Sequence, residues 1–239
     1  MTTIGNDLQG VRERIATACA QAGRDIGSVS LLAVSKTFDA GAVREAYAAG
    51  QTAFGENYLQ EAVEKIAALR DLPLTWHCIG PIQSNKSRLV AEHFDWAHTV
   101  ASLRLAQRLS DQRSPALPPL QICLQVNIDG GPNKSGLAPE EVQALALQVA
   151  RLPRLQLRGL MTIPEPQPDF ASALAVHQRS RALFDTVAAA GGGDPGMARF
   201  DTLSMGMTGD LEAAILAGST MVRVGSAIFG GRPPARRPG

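Results

Sequence analysis

The sequence predicts a single (β/α)8 barrel of the TIM type, and three observations lead there. Short apolar runs rich in branched residues alternate with longer stretches of helical periodicity, which is the pattern of repeated strand–helix units around a parallel sheet. The strand-like runs number eight. The chain has 239 residues, a normal length for one such barrel, and no linker-like stretch divides it. Counting alone leaves an open doubly wound sheet as the alternative.

The predicted strands are Leu31–Lys36, Thr52–Gly55, Thr75–Gly80, Trp96–Val100, Gln121–Asn127, Leu157–Ile163, Asp201–Met205 and Thr220–Val224. Between them, helical spacing predicts Ala42–Ala49, Leu59–Arg70, Lys86–His93, Leu103–Asp111, Pro139–Arg151, Phe170–Ala190 and Leu211–Ala217, often with Gly or Pro at the ends. An extra amphipathic segment, Leu8–Ala22, precedes the first strand; Leu8, Val11, Ile15, Ala18 and Ala22 share one helical face, so it is expected on the barrel exterior. Residues 113–119, 164–169 and 191–196 are Pro- or Gly-rich turns. The barrel is expected to occupy residues 1–231, and residues 232–239, rich in Arg and Pro, to form a flexible tail.

Composition narrows the partners. With 23 basic against 22 acidic side chains the formal net charge is +1, which gives no electrostatic reason to expect nucleic acid or an anionic bilayer. Apolar residues make up 45%, enough for a large core, yet no run is long enough to cross a membrane. Cys19, Cys78 and Cys123 are odd in number and widely spaced, which suggests neither a disulfide framework nor a zinc site. Asp7, Arg12, Glu13 and Arg14 stand where an export signal would need apolar residues, so the cytoplasm is expected. His77, His93, His98 and His177 show no metal-ligand spacing and read as packing or surface residues.

In a barrel, the loops after the C-terminal strand ends build the site. Lys36 closes the first strand after an apolar run; an amine desolvated there can attack an aldehyde, which is Schiff-base chemistry, although a lysine snorkelling to solvent fits the same segment. The seventh strand runs into Ser204-Met205-Gly206-Met207-Thr208-Gly209-Asp210 and the eighth into Arg223-Val224-Gly225-Ser226. Two adjacent small-residue turns at these positions suit a phosphate. Arg223, inside the mouth, needs an acceptor: a phosphate, a ring nitrogen, or a salt bridge to an acid such as Asp201. Facing a ring nitrogen it would withhold a proton and leave the ring a weak electron sink. Asn57 could bond a ring substituent or cap the following helix, and Lys134, in a Gly-rich loop, could reach the mouth or stay in solvent.

Several segments carry a family resemblance: Val34-Ser35-Lys36-Thr37, Phe54-Gly55-Glu56-Asn57-Tyr58, Trp76 through Lys86, Lys134-Ser135-Gly136, Arg158 through Met161, Ser204-Met205-Gly206-Met207, Gly218 through Gly225 and Ile228-Phe229-Gly230. Together they resemble the YggS/PROSC-type pyridoxal phosphate homeostasis proteins almost end to end. The resemblance implies a barrel like the N-terminal domain of alanine racemase, with pyridoxal 5′-phosphate (PLP) as cofactor, held as a Schiff base on Lys36. Its phosphate would lie on Ser204, Gly225 and Ser226, and its ring nitrogen would face Arg223. It further implies intracellular vitamin B6 homeostasis without a defined catalytic reaction, with indirect effects on amino-acid and keto-acid metabolism, PLP-dependent apo-enzymes as partners, and a monomer. Two positions depart from the pattern. Phe38 stands where a second lysine is common, which leaves Lys134 as the candidate secondary PLP site, and Thr208 replaces a serine while keeping its hydroxyl.

Two other readings follow from the same residues. A PLP-dependent racemase would need a second acid/base opposite Lys36, and Tyr47 and Tyr58 are the only tyrosines. A sugar-phosphate barrel enzyme would use Lys36 without a cofactor.

Overall fold

A computed structural model describes residues 2–131 and 135–231. All eight strands form: β1 (Ser30–Val34), β2 (Ala53–Glu56), β3 (Thr75–Cys78), β4 (Trp96–Val100), β5 (Leu120–Val126), β6 (Leu155–Thr162), β7 (Thr202–Ser204) and β8 (Met221–Val224). Each pairs in parallel with the next, and β8 closes on β1 with Ser30 opposite Met221 and Ala33 opposite Val224. The sheet is therefore a closed barrel; the open doubly wound alternative is excluded.

The helices are α1 (Thr3–Gln21), α2 (Ala40–Ala48), α3 (Leu59–Ala68), α4 (Ser87–His93), α5 (Leu103–Gln112), α6 (Val142–Val149), α7 (Phe170–Ala190), α8 (Leu211–Leu216) and α9 (Ser226–Phe229). Side chains set several starts: Thr2, Asp39, Ser102 and Asp169 accept N–H bonds from the first turns of α1, α2, α5 and α7. Each such cap contributes about 1 kcal/mol. Helix α1 lies against α2, α8 and α9 on the exterior, burying Leu8, Val11, Ile15 and Ala18. The predicted Pro139–Arg151 helix divides into a 3-10 turn, Pro139–Glu141, and α6. The four-residue α9 was not expected; so short a helix shows no periodicity in sequence.

Strand alternation separates two interiors. Outward residues such as Ala97, Leu203, Val222 and Val224 join the large core beneath the helices. Their inward neighbours Trp96, Ser204 and Arg223 fill the lumen, where Trp96, Cys123 and Met161 form a separate apolar cluster. Among the described residues no helix is long and apolar enough to cross a membrane.

Candidate functional site

The C-terminal strand ends surround a cavity of about 460 Å³ lined by Lys36, Asn57, Thr208, Gly209, Arg223, Gly225 and Ser226, with Val34, Ile79, Ile163 and Met207 as apolar walls. That size is within the range of small-molecule sites, roughly 300–1,000 Å³.

Lys36 lies two residues beyond β1 rather than closing it. Ser35 and Phe38 close a turn through a Phe38 N–H to Ser35 O bond of 3.1 Å, so Lys36 and Thr37 are its central residues. Thr37 has φ +69°, the left-handed conformation that a type II turn asks of its third residue and that usually selects Gly or Asn. A β-branched residue there stores roughly 1–3 kcal/mol of strain, a feature concentrated at functional sites. Lys36 itself is half-buried at the mouth.

Arg223 forms the floor and is 4% exposed. Its guanidinium donates to Ser204 Oγ at 2.8 Å and to Thr162 O at 2.9 Å, and burial lowers its pKa to about 10, so it remains charged at neutral pH. Asp201 is not its partner: that carboxylate pairs with Arg158 at 2.7 Å. Ser204 Oγ lies 3.1 Å from His98 Nδ1, and His98 Nε2 lies 3.0 Å from His77 Nδ1. A guanidinium only donates. Ser204 Oγ, already accepting from Arg223, thus links the guanidinium to a buried pair of imidazoles. Burial holds both imidazoles neutral, His77 down to about 3 and His98 well below its usual value, the latter helped by His77 and Arg223.

Another wall of the cavity, beginning beside β1, comes from the turns after β8 and β7. Arg223 N–H donates to Gly206 O, which ties the two strand ends together. Gly206 has φ +92°, and a Cβ there would stand 2.5 Å from Ala214 Cβ, so only glycine fits. Beyond it, Asp210 accepts from the Met207 N–H at 2.6 Å and faces the buried His177 at 2.9 Å. Burial opposes ionisation of Asp210, but the hydrogen bonds from His177 and Met207 keep its pKa below the ordinary value. From outside, Arg14 of α1 donates to Thr208 O at 2.8 Å and pairs with Glu212. The N-terminal helix thus braces this loop. Ser226 Oγ and Thr208 Oγ1 are 3.4 Å apart.

Of the residues singled out in sequence, Lys36, Asn57, Arg223, Gly225 and Ser226 share the cavity. Ser204 does not line it. It is fully buried, with its oxygen engaged by Arg223 and His98 beneath the cavity, while Thr208 and Gly209 stand on the wall. Lys134 lies outside the described residues. Asn57 does not cap α3: Tyr58 holds that position without a side-chain bond, and Asn57 Oδ1 is buried without a partner among the described residues. The histidines read as packing or surface divide: His93 is exposed, whereas His77, His98 and His177 are buried in polar contacts. Period two in β4, with Trp96 and His98 on one face, was the available signal for a lumen-facing histidine.

A family model described as "Alanine racemase, N-terminal domain" matches residues 7–233. The pyridoxal phosphate homeostasis protein of Pseudomonas aeruginosa is 56% identical over 232 residues, 97% of each chain. The chain belongs to the pyridoxal phosphate homeostasis proteins, within the alanine racemase N-terminal domain family. Among solved structures, PipY of Synechococcus elongatus, determined with PLP bound, is 40% identical with a TM-score of 0.78, covering 92% of this chain and 100% of that one. A protein of unknown function from Bifidobacterium adolescentis superposes with a TM-score of 0.89 at 37% identity, covering 95% and 94%.

Proposed function

We propose that this chain holds PLP reversibly on Lys36 and serves intracellular PLP homeostasis without turning over a substrate. The observation that carries the reading is one cavity that brings together the amine of Lys36, a wall of hydroxyls and glycines at Thr208, Gly209, Gly225 and Ser226, and the buried guanidinium of Arg223. The PLP-bound relative supports it.

The residues present fit the group. Asn57 Oδ1, buried on the wall without a partner among the described residues, marks a polar position suited to a ring substituent. The Thr208 and Ser226 hydroxyls, with backbone N–H groups of the Gly225–Ser226 turn, are the donors a phosphate needs. When bound, PLP supplies an aldehyde that a primary amine captures in a reversible covalent bond. Lys36 would provide that amine. Arg223, charged and only donating, would meet the ring nitrogen without handing over a proton, which disfavours carbanion chemistry. Neither Tyr47 nor Tyr58 lines the cavity as an opposing acid/base. The same reading carries a cytoplasmic, monomeric carrier that serves PLP-dependent apo-enzymes.

Absorbance tests it. Added PLP should give the protein a near-visible band that Lys36→Ala abolishes, and borohydride should fix the label on Lys36. A parent protein that shows neither band nor label rejects the reading, and racemisation of amino acids above the rate of free PLP would move it to catalysis.

A further inference from the structure

The turn that carries Lys36 is held from both sides by a single cluster centred on a buried lysine. Lys65, on α3, is 5% exposed, and its ammonium donates to Glu56 Oε1 at 2.6 Å, Ser35 O at 2.9 Å and Glu61 Oε1 at 3.1 Å. Those three bonds use all of its N–H groups. Ser35 Oγ donates to the same Glu56 oxygen at 2.6 Å, and Glu61 Oε1 also accepts the Thr37 N–H at 2.9 Å. The residue before Lys36 is therefore tied by its carbonyl and its side chain. The residue after it is tied by its N–H.

Stability alone is a poor reason for this arrangement, because a buried ion pair is often replaceable by apolar packing at no loss. Burial pushes the fully enclosed Glu56 toward its neutral form, and Lys65 pulls it back. What the cluster supplies is geometry. A residue held at positive φ, as Thr37 is, persists only where its surroundings over-determine it. An amine that must meet an aldehyde at a fixed place loses rate when its backbone samples several orientations.

We propose that Lys65 is a positioning residue which, through Glu56 and Glu61, fixes the Ser35–Thr37 backbone so that the Lys36 amine enters the cavity in one orientation. The inference rests on Lys36 being the residue that captures PLP.

The test uses the full chain, added PLP, and the variants Lys65→Met, Glu61→Ala and Glu61→Gln. Glu61 has a side chain 38% exposed, and its removal leaves the Glu56–Lys65 pair in place, so Glu61→Ala keeps the test decisive should Lys65→Met fail to fold. Two quantities are read: amide exchange at Thr37 by NMR before PLP is added, and the second-order rate at which the near-visible band appears afterwards. Glu61→Ala should speed Thr37 exchange and slow band formation roughly tenfold or more. Glu61→Gln, which keeps an acceptor oxygen, should restore most of both, and folded Lys65→Met should show the larger defect. The proposal is overturned if Glu61→Ala takes up PLP at the parental rate, or if Glu61→Gln is as impaired as Glu61→Ala. A parent that never forms the band removes the premise and the inference with it; Thr37 exchange, read without PLP, then shows that the functional reading failed while the clamp held.

Discussion

Ser204 shows how one atom ties the site to the barrel interior. Its hydroxyl accepts from Arg223 and lies 3.1 Å from His98 Nδ1, both within the lumen. Ser204→Ala removes both partners at once and leaves a buried guanidinium N–H and an imidazole nitrogen unsatisfied, each at a cost of about 1–3 kcal/mol. Urea denaturation should show a loss of that order, together with weaker PLP uptake from a less constrained Arg223; an unchanged midpoint would sink the account. In the sequence this serine reads as a phosphate ligand, because Ser204-Met205-Gly206-Met207 follows a strand and small residues there suit an anion. The structure turns its hydroxyl toward Arg223 and His98. Ser204 is the last inward residue of β7, below the rim, whereas Thr208 lies in the loop above it.

At the scale of elements, the loops after β2 and β3 depend on a close backbone approach. A Cβ on Gly80 would fall inside the backbone of Asn57. The Thr99 hydroxyl donates to Gly80 O at 2.7 Å, which pins the segment to β4. Gly80→Ala must therefore displace Asn57 from the cavity wall or break that contact. The expected outcome is a loss of roughly 2 kcal/mol or more with impaired PLP binding. Thermal melting and a PLP titration check it, and a variant matching the parent in both would show that Asn57 is not held there. Strands and long helices were legible because their periods of 2 and 3.6 persist over many residues; α7 is predicted at its observed bounds. The turn at Lys36 was not, since residues 35–38 contain no Gly and a threonine at positive φ has no sequence signature.

Over the whole molecule, the lumen couples stability to pH. His77 and His98 have folded pKa values below their ordinary 6.5, His77 at about 3, both through burial. The native state thus binds fewer protons than the unfolded chain. Their contribution is complete above pH 6.5 and is lost as the pH falls below it, down to about 3 for His77. While His77 is protonated only in the unfolded chain, it adds a slope of about 1.4 kcal/mol per pH unit, and His98 adds to it in the same direction. Urea midpoints at about pH 7 and about pH 5 should differ accordingly, before most carboxylates titrate. A flat profile would mean that the buried imidazoles accept protons in place.

Periodicity, length and residue type were sufficient to determine the eight strands and the gathering of Lys36, Asn57, Arg223, Gly225 and Ser226 at C-terminal strand ends, though not the closure of the sheet, which counting left open. These depend on local pattern and on the rule that barrel sites gather at C-terminal strand ends. Tertiary structure alone decided which polar groups meet. Lys65 reaches Ser35 across 30 residues, Arg14 reaches Thr208 across 194, and His98 reaches Ser204 across 106. Such contacts arise when closure of the sheet and the packing of helices on it bring residues distant in sequence within hydrogen-bonding distance, and no local spacing in the chain encodes them.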